Sequence, residues 1–277
     1  MSHVPTDSTQ NLGAPLAGRS VLVTRTAEQA HALVDPLTAL GAEVLVMPVL
    51  ETVDPEDWTP VDDAIRSLDT YDWLVFTSTN AVDRFLRRFR PAGGSREALL
   101  GIKIAAVGSA TANHLAHHGL PPTLVPDDFR AEGLVAEFQV MGPDACRRVL
   151  LPRALEAREV FAEALAEMGC TLDVVTVYRV QAARPVPEVI ERLRAGTIDV
   201  VTFTSGAIAS AFVSTITASG LDAAQVMSDL RIASIGPVTT EALAALGYRA
   251  SIEARESTMA SLAVAVGQAF SADEERP

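Results

Sequence analysis

Three apolar segments occur twice in this chain, in the same order and about 128 residues apart. Residues 21–25 (VLVTR) return as 149–153 (VLLPR), residues 76–78 (FTS) as 203–205, and residues 104–108 (IAAVG) as 232–236 (IASIG). Repeats of solenoids and propellers have much shorter periods, of roughly 20–50 residues. The chain is therefore predicted to contain two related units produced by duplication.

Each half of the chain alternates short apolar strands with helices. A strand at 19–25 precedes a helix at 27–40, and a strand at 148–151 precedes a helix at 156–168. This alternation is typical of α/β folds with open, mainly parallel sheets covered by helices on both faces. Ligands of such sheets bind beyond the carboxyl ends of the strands, which predicts two edges facing each other across a cleft. The polar segments 1–17 and 271–277 are predicted to be tails without fixed structure.

The net charge of −13 limits the partners of the chain. Nucleic acid is not expected as a partner, because phosphate binding requires a basic face. Membrane association is not expected either, because no apolar run approaches the roughly 18 residues of a membrane span. Residues 1–10 do not resemble a secretory signal, so a cytoplasmic location is predicted. In that compartment Cys146 and Cys170 are expected to be free thiols.

Motifs for common cofactors are missing from the sequence. It contains no GxGxxG after a strand, no GxxxxGK[ST] and no GxSxG, which argues against dinucleotide, P-loop and α/β-hydrolase chemistry. His114 and His118 are four residues apart on a predicted helix and could share a metal-binding face. A solvated helix surface is the preferred interpretation, so neither a metal site nor a cofactor is predicted.

Polar residues follow the predicted strands in matched pairs of turns. Orphan N–H groups and the positive end of the helix dipole lie at such turns and favour anions. A helix N-cap is the alternative role for Ser109 and Thr239, and it is compatible with anion binding. The candidate binding residues are Arg25, Thr77, Ser78, Asn80, Ser109, Thr111, Arg153, Thr204, Ser205, Gly206, Pro237 and Thr239.

Tyr178 is the candidate for catalysis. It ends the apolar run 174–177, and the first half has no tyrosine at the matching position. A phenol can donate a proton or a hydrogen bond to a departing oxygen at neutral pH. The alternative role is a strand tyrosine packed at a junction between domains.

At these residues the chain resembles the uroporphyrinogen-III synthase family. The resemblance extends from about residue 18 to about residue 270. The segments that carry it are 21–25, 75–78 (VFTS), 106–108 (AVG) with Thr111, 151–153, 177–178 (VY), 203–205, and 235–237 (IGP) with Thr239.

The resemblance implies one discontinuous domain. Residues 18–50 would join 183–270, and 51–182 would form the second domain together with the strands of a two-stranded linker. Crossings near 50–51 and 178–180 would place Tyr178 at the mouth of the cleft.

The resemblance also implies an activity without a cofactor. The substrate would be hydroxymethylbilane, a linear tetrapyrrole with eight carboxylates. Loss of its hydroxyl, attack through a spiro intermediate and inversion of ring D would give uroporphyrinogen III and water. Tyr178 would assist departure of the hydroxyl, while Thr239, Ser205 and Gly206 would hold carboxylates. Arg25 and Arg153 would bind carboxylates or form structural salt bridges.

A non-catalytic alternative has the same architecture. Two α/β lobes joined by a hinge also describe a cytoplasmic binding protein or sensor for an anionic small molecule. In either case the protein is expected to be a monomer.

Overall fold

The structure is a computed structural model that describes residues 14–128, 131–142, 147–156 and 160–274. These residues form two compact units. One consists of the described residues up to Glu51 and from Ala182 onward, and the other lies within Thr52–Gln181.

The described elements alternate strand and helix over most of the chain. In chain order they are β1 (Ser20–Val23), α1 (Ala27–Ala39), β2 (Glu43–Val46), β3 (Leu50–Val53), α2 (Thr59–Arg66), a 3-10 turn (Leu68–Thr70), β4 (Trp73–Phe76), α3 (Thr79–Phe89), α4 (Arg96–Gly101), β5 (Lys103–Ala106), α5 (Ser109–His117), α6 (Ala131–Met141), β6 (Arg148–Ala154), α7 (Val160–Glu167), β7 (Thr171–Ala182), α8 (Pro187–Arg194), β8 (Val200–Phe203), α9 (Gly206–Ala218), α10 (Ala223–Asp229), β9 (Arg231–Ser234), α11 (Pro237–Ala245), β10 (Ile252–Glu253) and α12 (Met259–Glu274).

The discontinuous unit contains a five-stranded sheet in the order β10-β9-β8-β1-β2, with each neighbouring pair parallel. Its strand β1, which lies between β8 and β2, is buried on both faces. Leu22 packs into a core that includes Phe203 and Phe212. Val21 and Val23 pack on the other face, in the core that α1 and α12 cover. This double burial explains why the strand is a continuous apolar run.

The second unit contains a five-stranded sheet in the order β3-β7-β6-β4-β5. The pairs β4–β5, β4–β6 and β6–β7 are parallel. Phe76 on β4 packs with Phe85 of α3 on one face. Trp73 packs against Phe138 of α6 on the other face. The prediction of an α/β fold with two mainly parallel sheets is confirmed.

The structure differs from the predicted tails at both ends. Leu16 is fully buried, and its N–H donates to the carbonyl of Leu40. Gly41 permits this contact, because a Cβ there would lie 2.6 Å from the Cβ of Ala14 and the backbone φ is +92°. At the other end α12 continues to Glu274. Packed structure therefore begins before residue 17, and the last helix extends past residue 270.

Cys170 is disulfide-bonded, so the expectation of a free thiol is wrong for this residue. Cys146 lies outside the described residues. Among the described helices, none is both long enough and apolar enough to cross a membrane.

Candidate functional site

Three loops of the discontinuous unit meet at one edge of its sheet. They follow β1, β8 and β9, which are neighbours in the sheet and parallel. The carboxyl ends of parallel strands lie at the same edge, where α/β proteins bind their ligands. The structure thus brings together the candidates that follow these strands, which are Arg25, Thr204, Ser205, Gly206, Pro237 and Thr239.

The turn from β8 to α9 is a capped helix start. Ser205 is the N-cap of α9, and its hydroxyl accepts a hydrogen bond from the N–H of Ile208 at 3.3 Å. Gly206 begins the helix where α11 passes closely, because a Cβ there would lie 2.5 Å from the Cβ of Ala242. Only glycine fits this position without a shift of α11. The first-turn N–H groups that Ser205 leaves without a partner can bind an anion.

The turn from β9 to α11 is capped by Gly236, with Pro237 exposed at the first helical position. Thr239 is the third residue of the helix and is buried, so the N-cap role considered for it is wrong. Its N–H donates to the carbonyl of Gly236. Within the described residues, no group hydrogen-bonds to its hydroxyl, which therefore keeps its capacity for a ligand.

The segment after β1 contains a threonine that hydrogen-bonds to the backbone and an arginine that is a candidate for anion binding. Thr24 is buried, and its hydroxyl donates to the carbonyl of Thr202 at 2.7 Å. Arg25 is partly buried, with its Nη1 3.7 Å from the Sδ of Met259 on α12. Burial lowers the pKa of the Arg25 guanidinium from its usual value. An anion at this position would offset the cost of burying the charge.

Thr26 is a polar residue that the sequence analysis missed. It is the N-cap of α1 but makes no side-chain cap bond. Its Oγ1 is buried and has no hydrogen-bond partner among the described residues. The signal was available in the sequence, since a threonine directly before a helix is a cap candidate.

The second unit has the same kind of edge after β4, β5 and β6, which are neighbours in its sheet. Ser78 is the N-cap of α3 and accepts a hydrogen bond from the N–H of Ala81 at 3.2 Å. Thr77, which precedes it, is exposed, and Asn80 is the second residue of the helix. Ser78 therefore has the local geometry of Ser205 in the other unit.

The turn from β5 to α5 follows the pattern of the turn after β9. Gly108 is the N-cap of α5, so the N-cap role considered for Ser109 is also wrong. Ser109 is exposed at the first helical position. Thr111 is the third helical residue and is buried, as Thr239 is in α11.

Tyr178 lies beside these loops, on β7. In the register with β6 it pairs with Ala154, just after an irregularity that follows Arg153. Its hydroxyl is 3.4 Å from the Oγ of Ser78. The side chain is only 7% exposed and packs in the core of its unit. The structure thus joins the candidate catalytic phenol to a candidate binding hydroxyl, and Arg153 lies one residue before its strand partner.

The two edges define a class of protein. Each presents serine hydroxyls at helix starts, a buried threonine at a third helical position and an arginine after or at the end of a strand. At each edge, these groups can donate hydrogen bonds to an anion. The fold and its edges are those of an α/β protein with two mainly parallel sheets and hydrogen-bond donors beyond the carboxyl ends of the strands.

Comparisons with known proteins identify the family. Residues 31–263 match the sequence model described as uroporphyrinogen-III synthase HemD. A uroporphyrinogen-III synthase of Synechococcus elongatus is 34% identical over 257 residues, which span 92% of this chain and 96% of the relative. One from Chlorobaculum parvum is 28% identical over 258 residues, spanning 91% and 99% of the two chains. The chain belongs to the uroporphyrinogen-III synthase family.

Solved structures show the same fold. A mutant uroporphyrinogen III synthase from the extremely thermophilic bacterium Thermus thermophilus matches with a TM-score of 0.61 at 21% identity, over 92% of this chain and 99% of that one. The synthetase from Helicobacter pylori matches with a TM-score of 0.58 at 18% identity, over 92% and 99%.

The predicted family is confirmed, and with it the prediction of an enzyme of porphyrin biosynthesis in the lyase class. The non-catalytic alternative is not favoured.

Proposed function

We propose that this chain converts hydroxymethylbilane into uroporphyrinogen III, with inversion of ring D and loss of water. The family implies a tetrapyrrole substrate, and the identity of the molecule comes from the resemblance. One observation carries the proposal within the structure: both sheet edges present the same set of donors, with Ser78 and Ser205 as helix caps and Thr111 and Thr239 buried in the first turn. Such repeated donors suit a flexible chain that bears many carboxylates.

Binding of the carboxylates would rest on local donors. The whole protein carries a net charge of −13, so its overall field repels an anionic substrate. Helix N-termini, hydroxyls and arginines act at short range and can overcome this repulsion at each carboxylate. Thr239, Ser205 and Gly206 would hold carboxylates at one edge, and Ser78 and Thr111 at the other. Arg25 and Arg153 would supply charge.

Tyr178 would assist the departure of the substrate hydroxyl. Its phenol oxygen is 3.4 Å from the Oγ of Ser78, and this contact would orient the phenol. The remaining task is conformational, because hydroxymethylbilane cyclises without a catalyst but without inversion of ring D. An enzyme that holds the chain in the folding required for the spiro intermediate changes the product by orientation and by exclusion of the other closure.

Domain organisation belongs to the same proposal. We infer from the internal repeat that the two units arose by duplication, and from the resemblance that 18–50 and 183–270 form one domain and 51–182 the other. The two-stranded linker and the cleft are also inferred from the resemblance. A monomeric state, a cytoplasmic location and the absence of nucleic-acid and membrane partners are part of the proposal as well, and they rest on the sequence analysis.

Genetic complementation separates this function from the alternative. A strain that lacks its own uroporphyrinogen-III synthase should grow without added haem when it expresses this chain. A binding protein or sensor would take up hydroxymethylbilane without converting it and would leave the strain dependent on haem. Failure to complement, with the protein shown to be folded in the cells, would contradict the proposal.

A further inference from the structure

Two histidines and a carboxylate form a cluster away from the sheet edges. His114 lies on α5 and His118 directly follows that helix, while Asp83 is on the neighbouring helix α3. The Nε2 of His114 is 2.6 Å from the Oδ1 of Asp83, and the Nε2 of His118 is 3.5 Å from the same oxygen. The proposed reaction uses none of these residues.

The geometry of the cluster is close to that of a zinc site. Its three ligand atoms all lie within 4.8 Å of one another. Tetrahedral Zn²⁺ with bonds of about 2.0–2.1 Å to nitrogen or oxygen holds its ligand atoms about 3.3–3.4 Å apart. The separations of 2.6 Å and 3.5 Å between the two imidazole nitrogens and the shared carboxylate oxygen lie on either side of this value.

The donor set also favours this metal over harder cations. Two imidazole nitrogens and one carboxylate oxygen suit Zn²⁺, whereas Ca²⁺ and Mg²⁺ prefer oxygen ligands. The three side chains are between one third and about half exposed, so an ion can reach them from solvent. Three protein ligands leave a fourth position for water.

We propose that Asp83, His114 and His118 bind one Zn²⁺ ion that joins α3 to α5. The sequence analysis preferred a solvated helix surface for the two histidines, because the sequence does not show that Asp83 lies beside them. These two helices begin with the loops that carry Ser78 and Ser109, so the ion would fix the helices that support one candidate edge. The proposal is independent of the reaction that the protein catalyses.

Calorimetric titration of the full-length, tag-free protein with Zn²⁺ tests the proposal after removal of metals with a chelator. We expect one equivalent to bind, with an affinity at least about ten-fold lower in His118→Ala and in Asp83→Asn. His117→Ala is the matched control, because His117 is on the same helix with its Nδ1 2.6 Å from the carbonyl of Asn113. This variant should bind as the unaltered protein does.

Thermal unfolding provides a second readout of the same site. An ion that binds the folded state raises the melting temperature, and the rise should be absent in His118→Ala and in the isosteric Asp83→Asn. Absence of Zn²⁺ binding to the unaltered protein would overturn the proposal and leave the cluster as a surface ion pair. Equal binding by the unaltered protein and both ligand variants would overturn it as well.

Discussion

Tyr178 combines two properties at the scale of a single residue. Its ring is almost completely buried, while its hydroxyl lies 3.4 Å from the Ser78 hydroxyl at the start of α3. A tyrosine that served only as core packing would not require this polar neighbour. A hydroxyl anchored at a helix start is suited to donate a hydrogen bond in a fixed direction.

Removal of the Tyr178 hydroxyl should slow catalysis. Tyr178→Phe should lower kcat by about 10²-fold or more, because it removes the donor to the departing hydroxyl and leaves the ring in place. Steady-state kinetics with freshly prepared hydroxymethylbilane measures the effect. Tyr71→Phe is the control: its hydroxyl donates to Asp173, so it should affect stability and not kcat. A near-normal kcat for Tyr178→Phe would leave the phenol with a positioning role alone.

Substitution of Thr239 should weaken substrate binding without lowering the stability of the fold. Thr239 is buried, and its hydroxyl makes no hydrogen bond to the described residues, so Thr239→Val should leave the free energy of unfolding unchanged or slightly raised. The KM should rise about ten-fold or more, because a hydrogen bond to a carboxylate contributes about 1.5–3 kcal/mol. Thr215→Val, at another buried threonine of the same unit, should keep the KM. An unchanged KM for Thr239→Val would remove Thr239 from the binding site.

Sequence reasoning located polar residues at strand ends better than it assigned their local roles. The proposed caps Ser109 and Thr239 are helical residues, because Gly108 and Gly236 occupy the cap positions. A glycine directly before a helix leaves the cap ambiguous in a sequence. Whether a threonine is buried depends on neighbouring helices, so the burial of Thr239 could not be predicted.

At the scale of elements, α9 and α11 approach each other closely where α9 begins. The space at Gly206 is filled by the methyl group of Ala242, which would lie 2.5 Å from an added Cβ. This contact fixes the spacing of two helices whose first turns carry candidate donors. Close packing therefore supports the geometry of the site.

A double-mutant cycle tests this contact. Gly206→Ala should lower the free energy of unfolding by about 1–3 kcal/mol through overpacking. Ala242→Gly should cost about 1 kcal/mol of helix propensity. The double variant should lose less than the two single losses together, because the second change removes the clash. Denaturant unfolding measures all three, and additive losses would contradict the predicted contact.

A polar cluster links the 3-10 turn to β6 and β7 and predicts a stability profile in alkali. The Tyr71 hydroxyl donates to Asp173 at 2.7 Å, and Arg148 also bonds to that carboxylate. Burial, with help from Asp173, raises the pKa of Tyr71 to about 12. An unfolded tyrosine has a pKa of about 10. The contribution of the Tyr71 hydroxyl to the free energy of unfolding is therefore complete below about pH 10 and is lost as the pH rises toward 12.

In Tyr71→Phe, the free energy of unfolding should therefore fall less between about pH 10 and pH 12 than it does in the unaltered protein. The variant is less stable at neutral pH, since it leaves Asp173 without one of its donors. Urea unfolding at several pH values gives the comparison, with Tyr248→Phe as a control for a tyrosine elsewhere. Equal slopes for the unaltered protein and Tyr71→Phe would contradict the assignment.

Element boundaries illustrate what local pattern can and cannot predict. The strands before the matched turns are short apolar runs, and the sequence predicted them because burial on both faces requires such runs. It did not predict that α12 extends to Glu274, since polar residues carry no inward-facing signal. The burial of Leu16 was missed for a related reason: one apolar residue in a polar segment has no periodicity.

At the scale of the whole molecule, the repeat and the alternation of elements were enough to predict two mainly parallel α/β sheets. The disulfide at Cys170 was not predicted, because the expectation of free thiols rested on the predicted compartment, and spacing does not reveal whether two cysteines approach each other in space. The proximity of Asp83 to His114 and His118 could not be predicted either, since the pairing of α3 with α5 is a tertiary contact.

The proposed function of the whole molecule is to direct closure of a linear tetrapyrrole toward the inverted isomer. The most direct test supplies freshly generated hydroxymethylbilane with and without the purified protein, oxidises the products and separates the type I and type III uroporphyrins. We expect a shift from type I without protein to type III with it. An unchanged excess of type I, from protein shown to be folded, would contradict this function.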